Sequence, residues 1–472
     1  MTNITFRVTV TFAGLLAVAG CSSEGFDIQN TNAPTVEATT GSPTKLSLAR
    51  LAVGVASGVL ADVGGEIAVW GTFGREGYNL LGNDPRLTTE MVRGPLDPGG
   101  VGGGQWNGKY TALRTIAIYL AGIDKAPDMT SAEKAASKGY AQTLKAVLLH
   151  RLLLRNGVLG IPVDVDAGLD QPPAPFLTQA NAYNRIATLL DDARTNLQAG
   201  GGAFPFTMPP GYAGFNTPAS FLKFNRGYYA KVQVHRATFV GGGSAAYQLA
   251  LTALGQSFID PAGSLKDGVY YAYSSASGEP ANPVTEPVSA VRFYIHHSLE
   301  DQAQLKGNGQ KDDRFTSKTV TVASRTQNAL IEHLKPISYN VPGSLAADLD
   351  ADVPMLKNEE LILLRAEARW FTGDKAGALS DINVIRTVSG GLGATSLTSG
   401  STDAQFVTEL MYNRRYSMLW ESGTSWLDAR RFGRTGDLPV DRVGDMIFPY
   451  MTINAGECDA RGLQVPCTPP TS

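Results

Sequence analysis

The chain has 472 residues, 43% hydrophobic and 18% charged, and its 40 Lys and Arg against 43 Asp and Glu give a net charge of −3. That apolar content builds a substantial core and excludes wholesale disorder, while the near balance of charge excludes a basic field that holds nucleic acid by counterion release. The 52 Gly and 26 Pro predict many ordered loops between regular elements.

Residues 1–20 read as a lipoprotein signal peptide. Arg7 precedes the apolar run VTVTFAGLLAV (8–18), which is too short to span a bilayer. Val18-Ala19-Gly20-Cys21 then resembles a bacterial lipobox, in which the cysteine is acylated and becomes the mature N-terminus. Cys21 is the expected lipidation site, and residues 21–43 the expected polar tether between lipid anchor and body. The most apolar later window, 46–63, is interrupted by Arg50 and Asp62 and reads as a buried helix.

Beyond it, 79–104 (NDPR, GPLDPGG, VGGG) reads as loop, and 105–125 as a helix with Trp106, Tyr110, Leu113, Ala117 and Leu120 on one stripe. Thr130 and Glu133 form a capping-box signature for a helix that ends at Asn156-Gly157. Helical patterns follow at 180–197, 218–240 and 245–258. From 259 to 353 the pattern dissolves into short runs scattered with Gly, Pro and Tyr. Helices return at 354–371, at 374–388 with Asp374 as cap, and at 402–420. This cadence predicts a mostly α fold: tetratricopeptide-like helix pairs in one globular body over 44–472, with long irregular excursion loops and a few short strands. Cys458 and Cys467, the other two cysteines, are expected to form a disulfide that pins the tail of an exported chain.

Several segments resemble the SusD/RagB family of nutrient-binding outer-membrane lipoproteins. They are WNGKYTALRTIAIYLAGID (106–124), GYAQTLKAVLLHRLLLRNGVLGIPVDV (139–165), LLRAEARWFTGDKAGALSDINVIRTVSGG (363–391), NRRYSMLWESGTSWLDARRFGR (413–434) and MIFPYMTINAGECDARG (446–462). The most specific is the WLDARRFG run beside an Arg-rich helix. The resemblance implies a surface-facing lipoprotein, anchored in the outer membrane by lipid, that binds an oligosaccharide or peptide. It also implies a SusC/RagA-like TonB-dependent transporter as partner and no catalysis, with glycan the foremost ligand class. A surface glycan-active hydrolase and a helix-pair scaffold of the envelope are the alternatives.

The residues themselves single out two aromatic clusters. Trp70, Phe73 and Tyr78 lie in the Gly-rich WGTFGREGYN, read as a loop, and Asn79, Asn83, Asp84 and Arg86 follow closely. Tyr270, Tyr271 and Tyr273 lie in the excursion. A sugar face stacks on an aromatic ring while its hydroxyls need carboxylate, amide or Arg partners, so both clusters are candidate ligand-binding regions. The crowded charges Arg414, Arg415, Glu421, Asp428, Arg430 and Arg431, set among bulky apolar residues, read as a structural ion-pair network.

Other patterns carry less chemistry. Asp348, Asp350, Asp352 and Glu359 fall on calcium-loop spacing, but Val353 stands where the loop needs Gly; calcium is the one cofactor this leaves in view. The sequence around Lys109 lacks the Ser or Thr of a phosphate-binding loop. The five histidines show no metal-ligand spacing, and adjacent His296 and His297 are expected to diverge on a strand.

Overall fold

The computed structural model describes residues 41–167 and 171–472. The expected signal peptide, Cys21 and almost all of the expected tether lie outside the described residues.

Helix α1 (Lys45–Val59) opens on a reciprocal cap between Thr44 and Ser47. The chain turns at Asp62 (φ 65°) and enters α2 (Val63–Phe73). By length and composition alone Lys45–Phe73 is apolar enough for one membrane crossing. Here Leu48, Ala52, Val55 and Val59 are buried. After β1 (Gly77–Asn79) and the single turn α3 (Glu90–Arg93), helix α4 (Asn107–Ile123) packs on α1. Helix α5 (Ser131–Asn156) begins at the expected Thr130–Glu133 capping box and buries almost every residue after Gly139. It is the central strut of the core.

The short strands β2 (Ile161–Pro162) and β3 (Phe176–Leu177) pair antiparallel, and α6 (Gln179–Gln198) returns along α5. Helices α7 (Pro218–Phe239) and α8 (Gly243–Leu254) form the next pair. At its start α7 combines a Thr217 cap with Pro218 in the first turn, where the missing N–H costs nothing. The excursion holds β4 (Gly268–Tyr271), β5 (Phe293–Ile295), the short helices α9 (Ser298–Gln302) and α10 (Asp313–Thr316), β6 (Thr319–Gln327) and β7 (Leu330–Pro336). Next come β8 (Val353–Lys357), then α11 (Asn358–Phe371) and α12 (Lys375–Val384), the third pair. Last are α13 (Asp403–Ser417), α14 (Thr424–Arg431) and α15 (Ala455–Ala460).

The architecture is therefore mostly α, as expected, with helix pairs and few strands. An antiparallel sheet of order β1-β5-β7-β6 lies beside them, and β4 pairs with β8. Two boundaries differ from expectation. Residues 353–357 are strand β8, not the start of a helix, and the 402–420 helical run ends at Ser417 with Met418 as its cap, before Trp420 takes φ 58°. Cys458 and Cys467 are joined by a disulfide. Beyond it Thr471 bridges Phe176, and the Ser472 N–H donates to the Phe176 carbonyl, so the tail lies along β3.

Candidate functional site

The first aromatic cluster is core. WGTFGREGYN is no loop: Trp70 and Phe73 belong to α2, Tyr78 to β1, and all three are at most 2% exposed. Glycine is present for close packing instead. A Cβ on Gly74 would stand 2.5 Å from the Trp426 nitrogen, and one on Gly77 2.5 Å from the Tyr294 carbonyl oxygen. Phe73 packs edge-on to Trp426 with centroids 5.3 Å apart, and Trp70 lies 5.7 Å from the same ring. Tyr78 donates to Asp441 Oδ2 at 2.6 Å. Of the polar residues expected beside this cluster, Asp84 and Arg86 pair with each other at the surface. Asn79 Oδ1 accepts from the Leu81 N–H, and Asn83 is exposed. They and the three rings do not form one surface.

The second cluster lines a groove. β4 pairs with β8 in a register that skips Met355 between Val269 and Tyr270, a bulge of the kind that re-aims side chains. Val269 is then buried, Tyr270 half-buried, and Tyr271 and Tyr273 are 7% and 8% exposed. The Pro210–Tyr212 turn presses against β4 so closely that a Cβ on Gly211 would meet the Tyr270 carbonyl oxygen at 2.2 Å. Between that turn, the outer face of α1 and the loop before β8 runs a hollow of about 640 Å³, walled by Met208, Tyr212, Tyr270, Tyr273, Asp350 and Asp352 among others. A second hollow of about 530 Å³ lies on the other side of Tyr270, with Phe215, Phe258, Lys266 and Asp267. Tyr270 stands on the ridge shared by both.

Polar groups at the groove are held by the backbone. Asp352 Oδ1 accepts from the Tyr273 N–H at 3.1 Å, and Asp350 accepts from the Ser275 N–H and hydroxyl. Burial pushes the Asp352 carboxyl above its ordinary range, and the Tyr273 N–H offsets part of that. The Tyr270 phenol donates to the Lys266 carbonyl. Burial pushes it up to about 12, with Lys357 opposing, so it stays a neutral donor. Sequence reasoning missed Met208, Tyr212, Phe215 and Phe258. The run FPFTMPPGYAGFN (204–216) carried the signal, being rich in aromatic and Pro residues between two helices. Trp70 and Tyr271 line one small interior cavity of about 50 Å³, together with Glu66, Arg151, Lys231 and His235.

The calcium expectation fails on geometry. Asp350 and Asp352 are engaged with the 273–275 backbone. Asp348 caps the Asp350 N–H, while Glu359 sits in the first turn of α11, paired with Lys357 and accepting from Ser389. Among the described residues these four carboxylates do not gather into one ligand set. The Arg-rich segment is an ion-pair network, as expected. Arg414 and Arg431 both bind Asp428 at 2.7 Å, Arg431 also binds Glu367, and all four are buried. Burial alone would raise the Asp428 carboxyl, yet the two guanidiniums hold it below its ordinary range. Lys109, of the near phosphate loop, is buried and paired with Glu66 at 2.6 Å.

The histidine expectation is corrected. His296 extends β5, but His297 adopts helical φ and ψ as the cap of α9. Their rings therefore stack, with centroids 4.3 Å apart, and do not diverge.

Comparison with known proteins places the fold. No family model and no curated protein matches the chain. Among solved structures it is similar to NanU of B. fragilis (TM-score 0.66, 16% identity, covering 91% of this chain and 97% of that one). It is similar also to surface glycan-binding protein A from Bacteroides thetaiotaomicron in complex with laminarihexaose (TM-score 0.65, 13% identity, 88% and 98% covered). A SusD superfamily protein from Bacteroides vulgatus is a third (TM-score 0.63, 12% identity, 89% and 98% covered). At these identities the likeness is one of fold.

Proposed function

We propose, from the premise that the chain has the SusD-like fold, that it captures an oligosaccharide in the groove beside Tyr270. It then delivers the ligand to a SusC-like TonB-dependent transporter in the outer membrane. The observation that carries this reading is the groove itself. A half-exposed tyrosine ridge separates two hollows, with the part-exposed Met208 and Phe258 as apolar faces, backed by the buried Tyr212 and Phe215, and Asp350, Asp352, Asp267 and Lys266 as polar partners. This is the mixed chemistry a sugar ring demands, apolar C–H faces for the rings and fixed acceptors and donors for the hydroxyls. One of the fold's neighbours holds laminarihexaose, which supports a glycan over a peptide.

Capture of this kind needs no covalent chemistry. Lipidation at Cys21 would tether the body at the outer surface of the outer membrane, and a tether beside a transporter raises the effective concentration of the ligand-loaded protein at its mouth. The partnership is tested by purifying the natively processed protein under mild solubilisation. A stoichiometric TonB-dependent barrel should accompany it. Its absence, with other outer-membrane complexes intact in the same extract, would remove delivery from the account. Incubation of the pure protein with polysaccharide should release no new reducing ends; release would make it a hydrolase.

A further inference from the structure

The side chains of His296, His297 and Glu332 bring two imidazole nitrogens and a carboxylate oxygen together at one point on the sheet. We propose that they form a binding site for a divalent transition-metal ion of the zinc class, with Asp441 as the neighbouring carboxylate. The site lies on the β1-β5-β7-β6 sheet, and its ligands are drawn from none of the groove residues.

The geometry comes from three elements. The His296 N–H still pairs with the Glu76 carbonyl, continuing the β5–β1 ladder, and His297 turns into α9. That change of backbone puts both rings on one side. Glu332 on β7 faces them: its Oε2 accepts from the His297 N–H at 2.7 Å, and its Oε1 lies 3.1 Å from His297 Nδ1 and 3.9 Å from His296 Nε2. One ligand atom from each of the three lies within 4.8 Å of the others. Zinc–ligand bonds of about 2.0–2.1 Å in a tetrahedron set ligand atoms about 3.3 Å apart; the two Glu332–imidazole separations, 3.1 and 3.9 Å, lie close to that spacing. Imidazole with carboxylate is a zinc-type donor set, and an all-oxygen calcium or magnesium cage is not what stands here.

The surroundings fit a metal. Asp441 lies 3.0 Å from His296 Nε2 and is itself held by the Tyr78 hydroxyl. A bound divalent cation would hold both Glu332 and Asp441 ionised and balance their two charges. His296 Nδ1 accepts from the Ser298 N–H at 3.1 Å and lies 2.8 Å from Ser298 Oγ; a metal on Nε2 would move the ring proton to Nδ1, where Ser298 Oγ accepts it as the outer-shell bond that orients a ligating ring, in exchange for the Ser298 N–H bond. Arg415, bonded to the same Ser298 Oγ, is the opposing charge. Glu332 is 1% exposed, whereas the His297 side chain is 44% exposed, which gives the ion an entry path. Bound there, it would clamp the β5–α9 turn to β7.

The test is a zinc titration of the full, untagged chain in detergent against a chromophoric chelator, repeated with cobalt(II) for its visible bands. One zinc per chain at micromolar or tighter affinity is expected, with a four- or five-coordinate cobalt spectrum and a raised melting temperature. His297→Ala and Glu332→Gln should each weaken binding by more than about tenfold, and His297→Ala, at a half-exposed position, should leave the metal-free melting temperature close to the parent's. No retention of zinc against the chelator would overturn the site. So would binding that survives both substitutions, or that is lost only in His333→Ala, where a separate His333–Glu300 pair stands at 2.8 Å.

Discussion

Burial decides which aromatics bind and which hold the fold. Trp70 is 2% exposed and packs on Trp426, so Trp70→Ala is expected to cost about 3–5 kcal/mol in stability through the cavity it leaves. Its thermal melt would show this directly. Tyr270, with its ring lining both hollows, should behave oppositely: Tyr270→Ala lowers oligosaccharide affinity about tenfold, or about 1.4 kcal/mol, with little change in melting temperature. Asp428 makes a third residue-level case. Asp428→Asn leaves Arg414 and Arg431 without their shared carboxylate inside the core, and removing one partner of such a network costs about 3–5 kcal/mol. A denaturant midpoint close to the parent's would show that Glu367 alone suffices for Arg431. The charge network was legible in the sequence because charges set among Trp, Leu and Phe must be paired. The role of Trp70, Phe73 and Tyr78 was not, because glycines that admit Trp426 and Tyr294 look the same in sequence as glycines that make a loop.

At the scale of elements, local signals read well and non-local ones poorly. The caps at Thr130 and Asp374 were visible because each side chain bonds backbone within its own first turn; the cap at Thr402 is of the same kind but was not singled out. Strand β8 was absorbed into the helix that follows it, since VPML and LILL are two short apolar runs on either side of the charged KNEE, and only pairing with β4 makes the first a strand. The β6–β7 hairpin turns on Asn328 and Ala329, both with positive φ; the dipeptide lacks the glycine that marks such turns in sequence. His296 and His297 converge because a strand ends between them, which alternation alone cannot reveal. The disulfide belongs to this scale as well. It closes a loop whose ends are nine residues apart, so Cys458→Ala with Cys467→Ala should lower stability by about 2.5 kcal/mol. Hydrogen exchange should show the loss concentrated at 463–472 and along β3.

For the whole molecule, the helix pairs give the body, and the excursion, 259–353, supplies β4, three of the four strands of the β1-β5-β7-β6 sheet and much of the wall of the proposed groove. Body and excursion share one hydrophobic core, and a buried ion-pair cluster adds to the junction. Lys318 and Lys357 share Glu421, and Lys357 also holds Glu359. Burial alone would raise the Glu359 carboxyl; Lys357 and Lys318, with the Ser389 and Ser417 hydroxyls, hold it at about 2 against an ordinary value of 4.5. A carboxylate lowered on folding contributes stability that is full above its unfolded value and lost as pH falls toward the folded one. Stability should therefore fall between pH 4.5 and about 2. Glu359→Gln should cost on the order of 3 kcal/mol at neutral pH and progressively less as the pH drops through that window. Urea midpoints of both proteins against pH would check the sign. A penalty that stays constant with pH would mean the lysines do not hold that carboxylate ionised.

The central claim is that the groove beside Tyr270 binds an oligosaccharide. The direct measurement is calorimetric titration of the full chain in detergent against a panel of oligosaccharides, laminarihexaose among them, with the parent and Tyr270→Ala compared. Saturable one-site binding of at least one glycan, weakened about tenfold in Tyr270→Ala at an unchanged melting temperature, is the predicted result. Glycan binding that is indifferent to Tyr270→Ala would put the site elsewhere on the molecule, and a panel without any binder would contradict glycan capture itself.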